Sequence, residues 1–312
     1  QELDLVERTL EAAITSDVPT AYDLSLGLLS AGGKRIRPAL VVLSAMIGGQ
    51  ADMQAVLGVA AAAELVHMAS LVHDDVVDET RERRGARTAN EKWGNKISVL
   101  GGDFLLSKAF QLLIGNGGPD VLRVLSGTAV RMTESEILQA SAEGDLALWE
   151  ANYWRIIGDK TAHFMGACCE CGGFIGGADM RTREALREYG FQMGLAFQIT
   201  DDVLDIAGDP SVTGKATGAD LTHGKYTLPV LLALRSSPDA ALLRSMMLGR
   251  RLTADEAESI AARVIACGAV DEAHRAGIEC VKKAREQLAR LEPSDYTRAL
   301  DALAGFVISR EA

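Results

Sequence analysis

The sequence predicts an all-α protein, on three observations. Alanine and leucine, both strong helix formers, recur throughout, and 48% of the residues are apolar. Aromatic residues make up only 5%. No run alternates apolar and polar residues as a half-buried strand does. No linker, low-complexity stretch or internal repeat interrupts the chain, so residues 1–312 read as one domain, a bundle of ten or more helices.

The helices can be placed in order. "RPALVVLSAMIGG" sets Pro38 near a helix start and Gly48-Gly49 at its end. "ADMQAVLGVAAAAELVHMASLVHDDVVDET" reads as one long helix, apolar almost all round and therefore central. The polar stretch "RERRGARTANEKWGNK" reads as a loop. "GGDFLLSKAFQLLIGNGG" reads as a helix between glycine pairs, and "VLRVLSGTAVRMTESEILQASAEGD" as another. One further helix is expected through "ANYWRIIGDKTAHFMGACCECGGFIGG", and the next ends at "GFQMGLAFQITDDVLDIAGD". "PSVTGKATGADLTHGK" is a glycine-rich loop, and "TLPVLLALRSS" restarts a helix. "TADEAESIAARVIACG" opens with Thr253 and Glu256 in capping-box spacing, and helical patterning continues to the end.

The net charge of −11 disfavours a nucleic-acid partner, because a binder of phosphate backbones is normally basic. No apolar run approaches the length of about 18 residues read as a membrane span. The first residues, "QELDLVERTLEAA", lack the basic start and apolar stretch of a signal peptide. The five cysteines are an odd count that fits reduced thiols and a cytoplasmic protein. "CCEC" lacks the paired spacing of a structural zinc site and reads as small packing residues.

The chemistry is concentrated in "LVHDDVVDETRERRG". Asp74 and Asp78 lie four apart, so a helix stacks them on one face, with Asp75 about 100° round. The same DDxxD spacing returns as Asp201, Asp202 and Asp205 in "ITDDVLDIAGD". One such motif reads equally well as a solvated helix end. Two, each preceded by an apolar helix, point to a hard divalent cation. Mg²⁺ takes one or two carboxylates, keeps waters and shares phosphate oxygens with a substrate. Basic residues stand beside both motifs: Arg83 and Arg84 after the first, Lys215 and Lys225 after the second, and Lys34, Arg35 and Arg37 in "GGKRIRP". Guanidinium forks and lysine point charges both suit phosphate oxygens.

Taken in order, "GGKRIRP", "ELVHMASLVHDDVVDETRERRG", "GDFLLSKAF", "KTAHF", "GLAFQITDDVLDIAGD" and "GKATGADLTHGKYTLPVL" resemble the all-trans polyprenyl diphosphate synthases, the head-to-tail elongases of isoprenoid chains. The resemblance runs from about Gly32 to Val230. It implies the isoprenoid-synthase fold, with helices around a central apolar cavity. It also implies that Asp74, Asp75, Asp78, Asp201, Asp202 and Asp205 bind Mg²⁺, three ions in all, bridged to an allylic diphosphate. Arg83, Lys160, Lys215 and Lys225 would hold that diphosphate. Lys34, Arg37, His67 and Arg84 would hold the diphosphate of isopentenyl diphosphate. Thr161 and Gln198 would lie along the reacting carbons and stabilise positive charge. His67 taken alone reads as a core histidine, and His73 is left structural. One departure is "ESEILQ", where such enzymes often carry glycine before the glutamate, which weakens any role for Gln139. The resemblance further implies a homodimer, with "GDFLLSKAFQLLIG" as an interface or core helix, and peripheral membrane contact on product release.

Product length is read from the helix before Asp74. Ser70 and Ala69 lie one turn upstream, then Val66, Ala63 and Ala62, and no aromatic side chain blocks this face. Each turn rises about 5.4 Å, roughly one isoprene unit, and together with the resemblance this favours a product of about seven to nine units (C35–C45). A shorter farnesyl or geranylgeranyl product and a non-catalytic subunit of a heteromeric synthase are the alternatives. The second motif disfavours a terpene cyclase, and the few scattered histidines disfavour an HD-type phosphohydrolase.

Overall fold

The computed structural model describes residues 2–83, 85–208, 217–247 and 252–309. They are helical almost throughout, which bears out the all-α reading. The chain divides into two compact units. The first comprises Gln1–Ala129, Ala167–Arg187 and Ser294–Thr297, and the second Val130–Gly166, Glu188–Pro293 and Arg298–Ala312.

In the first unit, α1 (Glu2–Ala13), α2 (Pro19–Ser30) and α3 (Ile36–Gly48) precede the long α4 (Met53–Val77). Asp52 caps α4 by accepting the Gln54 N–H at 3.0 Å. Every residue from Gly58 to Val66 is buried, as expected of a helix apolar on all sides. α4 packs against α1, α3 and, most extensively, α6 (Asn95–Asn116). α6 does not start after Gly101-Gly102, as the glycine pair suggested, but runs through both. A Cβ at Gly101 would lie 2.6 Å from a Leu24 methyl, and one at Gly102 2.2 Å from His73 Nε2, so the glycines let the helices close up. The stretch read as a loop holds a short hairpin, Glu82–Arg83 paired antiparallel with Ala86–Arg87 around Gly85 (φ 74°), and then α5 (Ala89–Trp93).

After α7 (Gly118–Ala142) and α8 (Leu146–Ile157), residues Gly158–Ala162 form one π turn before α9 (His163–Ile175). The single helix expected here is thus interrupted by the wider turn that often marks functional positions. The buried Asp159 anchors that turn, with Arg131, Arg155 and His163 at 3.5–3.6 Å. Cys168, Cys169 and Cys171 are buried free thiols, and burial pushes Cys169 up to about 12. Gly172 and Gly176 sit on the α3 backbone, where a Cβ would meet Val41 O at 2.3 Å and Ala45 O at 2.2 Å.

The second unit takes in most of α10 (Met180–Ala207), then α11 (Ala219–Thr222), α12 (Leu228–Ser236), α13 (Ala240–Met247), α14 (Ala254–Ala266), α15 (Ala269–Leu288) and α16 (Asp295–Ile308). Thr253 and Glu256 form the expected capping box at the start of α14. The buried α12 packs on α14 and α15.

By length and composition alone α4 and α6 are each long and apolar enough to cross a membrane, a test that a buried core helix also passes. The apolar stretch of α4 is 72% buried inside the protein, as in a core helix, whereas that of α6 is 33% buried.

Candidate active site

The first aspartate motif closes α4, with Asp78 as its C-cap and Glu79 in the left-handed region at φ 51°. Asp74 and Asp78 are half-exposed, whereas Asp75 is buried. The Arg83 guanidinium, on the hairpin, donates to Asp75 Oδ1 through Nε at 2.8 Å, and its terminal nitrogen also lies 2.8 Å away. Burial raises the Asp75 pKa from its ordinary value, against the pull of Arg83. Arg83, expected on a substrate diphosphate, is thus engaged with the motif itself in this structure. Asp75, Arg83, His67, Glu64, Arg35 and Trp93 all line one pocket within the first unit.

Arg35 was grouped with the basic residues of "GGKRIRP" but given no role. It is buried in a left-handed conformation (φ 48°) at the start of α3. It donates to Glu64 at 2.8 Å, to Glu7 and to the Leu29 carbonyl. Burial works to lower its pKa, but the two glutamates outweigh it and the net shift is upward. The signal in the sequence was Glu64, an isolated acid in an apolar run that needs a buried cation. This clamp sets the positions of Lys34, which is exposed, and Arg37, which is half-buried. His67 is half-buried, and its carbonyl accepts the Ser70 hydroxyl at 2.8 Å.

The second motif lies inside the last turns of α10. Asp201 and Asp205 are half-exposed, and Asp202 is buried. Asp202 Oδ2 accepts the Tyr153 hydroxyl at 2.6 Å and the Leu228 N–H at 3.4 Å, while Oδ1 accepts Gln198 Nε2 at 3.1 Å. Gln198 Oε1 in turn accepts the Thr161 hydroxyl at 3.2 Å. Burial pushes Asp202 up to about 7, against these hydrogen bonds. The same burial, with Asp202 close by, raises Tyr153 well above its ordinary value. Thr161 and Gln198, singled out from the sequence, are therefore in contact. Tyr153 was missed, because nothing in its spacing marks a residue from a different helix.

Lys160, in the π turn, reaches Glu136 Oε1 at 2.6 Å, and Gln139 donates to the other oxygen of Glu136 at 3.4 Å. Asp205 accepts the Asp220 N–H at 3.3 Å, and the Lys225 N–H donates to the Asp220 carbonyl. Arg84 and Lys215 lie outside the described residues. Among the described residues no three His, Cys, Asp or Glu side chains gather into a metal cage. Each motif instead presents two half-exposed carboxylates four residues apart. That donor set fits a Mg²⁺ ion that draws its remaining ligands from water and a substrate diphosphate.

An all-α fold carrying two DDxxD helix segments, with basic residues beside them, defines the class of diphosphate-handling prenyltransferases. Residues 19–264 match the family model described as Polyprenyl synthetase. The chain is 36% identical over 98% of its length to the nonaprenyl diphosphate synthase of Mycobacterium tuberculosis, of which it covers 91%. It is 37% identical over 99% of its length to a short chain isoprenyl diphosphate synthase of Methanothermobacter thermautotrophicus, of which it covers 96%. The solved structure of heptaprenyl diphosphate synthase from Staphylococcus aureus superposes with a TM-score of 0.94 at 35% identity, covering 100% of this chain and 98% of that one. The chain belongs to the polyprenyl synthetase family and is a prenyltransferase.

Proposed function

We propose that this enzyme joins isopentenyl diphosphate head-to-tail to an allylic diphosphate primer and repeats the step to a product of about seven to nine isoprene units, within the range named by its heptaprenyl and nonaprenyl relatives. The observation that carries this reading is the pair of DDxxD segments, each with outer carboxylates half-exposed and its middle carboxylate buried. Residues 1–312 act as one catalytic domain in this reading. Asp74 and Asp78, with Asp201 and Asp205, would hold three Mg²⁺ ions. When bound, the ions supply positive charge to the oxygens of the departing diphosphate.

The chain's own residues do the rest. Arg83, Lys160, Lys215 and Lys225 bind the allylic diphosphate and stabilise its charge as the C–O bond breaks. Lys34, Arg37, His67 and Arg84 bind isopentenyl diphosphate and orient its double bond towards the allylic carbon. The Gln198 carbonyl and the Thr161 hydroxyl oxygen present negative dipole ends to the cation. Buried apolar side chains exclude the water that would quench it. The departed diphosphate is the base that removes the final proton, since no His or Glu stands out for that step.

The relatives named for short and for nonaprenyl products stand at 37% and 36% identity. Overall similarity therefore does not select length, and local side chains must. On α4, Ala62 and Ala63 are fully buried in helix packing, while Ala69 and Val66, nearer Asp74, are small or slender and support a path for a long chain.

The enzyme acts as a homodimer in the cytoplasm, with peripheral membrane contact on product release. The dimer is supported by α6, which leaves Val99, Leu100 and Ile114 exposed at 41%, 54% and 72%. One relative is named component 2 of a heptaprenyl synthase, but two intact aspartate motifs favour a catalytic subunit here. Incubating the purified protein with Mg²⁺, isopentenyl diphosphate and an allylic primer tests the proposal. Elongated all-trans products are expected. A cyclic hydrocarbon, phosphate release alone or no turnover would each overturn it.

A further inference from the structure

We propose that Tyr153, acting through Asp202, is a positioning residue that fixes the orientation of the Gln198 side chain, and that Asp202 serves this purpose rather than metal binding. The inference rests on the role given above to Gln198. Both Asp202 oxygens already have protein donors: the Tyr153 hydroxyl at 2.6 Å and the Leu228 N–H at 3.4 Å on Oδ2, and Gln198 Nε2 at 3.1 Å on Oδ1. Asp202 is only 2% exposed, whereas its neighbours Asp201 and Asp205 are half-exposed.

Tyr153, Leu228 and Gln198 all donate to Asp202, as they do to its ionised form, which offers only acceptors, so the side-chain amide beside it presents its NH₂. The amide carbonyl is then forced to the other end, where it takes the Thr161 hydroxyl at 3.2 Å. Were the amide reversed, its oxygen would face a carboxylate oxygen and both would repel. Gln198 and Asp202 are four apart on α10 and share a face, so this contact is built into the helix. Tyr153, buried on α8, is the short hydrogen bond that keeps the Asp202 carboxyl plane from turning. The chain Tyr153–Asp202–Gln198–Thr161 thus fixes the Gln198 carbonyl on the Thr161 side, where the proposed function calls on both groups to stabilise the allylic cation.

The experiment compares the parent with Tyr153→Phe, Gln198→Leu and the double variant. Tyr153→Phe should lower kcat about tenfold, the effect of about one net hydrogen bond, with the KM of both diphosphates and the Mg²⁺ needed for half-activity unchanged. The double variant should be no slower than Gln198→Leu, since residues acting as one unit are not additive. An ammonium mimic of the allylic cation, added with inorganic diphosphate, should bind more weakly to both single variants. Asp202→Asn provides an independent arm should Tyr153→Phe fail to fold: kcat falls while the Mg²⁺ requirement stays, in contrast to Asp201→Asn. Additive losses, a raised Mg²⁺ requirement or unchanged binding of the cation mimic would overturn the proposal. A parent that makes no elongated product would instead sink the proposed function.

Discussion

At the end of α4 the buried middle carboxylate, Asp75, is paired with a cation, Arg83. At the end of α10 its counterpart, Asp202, is ringed by neutral donors from Tyr153, Gln198 and Leu228. The two segments have the same spacing and put their outer aspartates on one helix face. They differ in what the fold brings against the second aspartate. An ion pair there tolerates partial exposure and is weakened by salt. A set of neutral hydrogen bonds is confined to the interior and constrains direction more than charge. The α4 motif also straddles its helix end at Asp78, whereas α10 continues past Asp205 to Ala207. The same DDxxD spacing therefore places its middle aspartate against a guanidinium in one unit and among neutral hydrogen-bond donors in the other.

The comparison breaks most visibly at the outer carboxylates. Asp74→Ala and Asp201→Ala should each lower turnover by roughly 10²–10³-fold, the scale of losing one charge-stabilising group, while the helical circular dichroism persists. If only one variant loses activity, the two motifs do not share a function. Next in size is the Arg83 pair. Arg83→Ala leaves the Asp75 carboxylate buried without its cation and should destabilise the protein by about 1–3 kcal/mol, moderated because Arg83 is partly exposed. Adding Asp75→Asn should recover part of that loss in thermal unfolding. Unchanged melting temperatures would show that the pair carries no stability.

A smaller and more selective effect is expected at Lys34. Lys34→Ala should raise the KM for isopentenyl diphosphate roughly tenfold, about one charge-assisted contact, and leave that of the primer near the parent value. Steady-state kinetics with each substrate varied in turn would decide this, and equal effects on both would refute the division of the basic residues. The least change in rate accompanies the α4 path. Ala69→Phe should let the first condensations proceed but shorten the products to three or four units. Val66→Phe, one turn of about 5.4 Å further on, should stop the chain roughly one unit later. Overfilling at either position costs about 1–3 kcal/mol, so thermal unfolding is the control. Product lengths unchanged in folded variants would show that this face of α4 does not line the path.

Much of this was legible because it depends on neighbours in sequence. The central α4, the left-handed Gly49 that ends α3 and the Thr253–Glu256 capping box all follow from residues within a turn or two of each other. Thr161 and Gln198 stand out only through the family likeness, and their contact is seen only in the structure. The hairpin at Gly85 escaped notice because its strands are two residues each, too short for any alternation to register. In sequence Gly101 and Gly102 read as helix punctuation, because an isolated sequence cannot show the Leu24 and His73 side chains that occupy the missing Cβ positions. The π turn at Gly158–Ala162 has the same cause, since its anchor Asp159 is held by Arg131 and Arg155 from flanking helices.

The sequence by itself determined the all-α class, the order of the main helices, the two aspartate motifs and which carboxylates share a helix face. These follow from the 3.6-residue period, from capping chemistry and from the density of acids, all of which act over a few residues. Tertiary structure decided that Arg35 is a buried clamp between Glu7 and Glu64, that Arg83 turns back onto Asp75, and that Tyr153 holds Asp202. The physical reason is that a buried charge or hydroxyl must find a partner, and that partner comes from whichever helix packs alongside, however far away it lies in the chain.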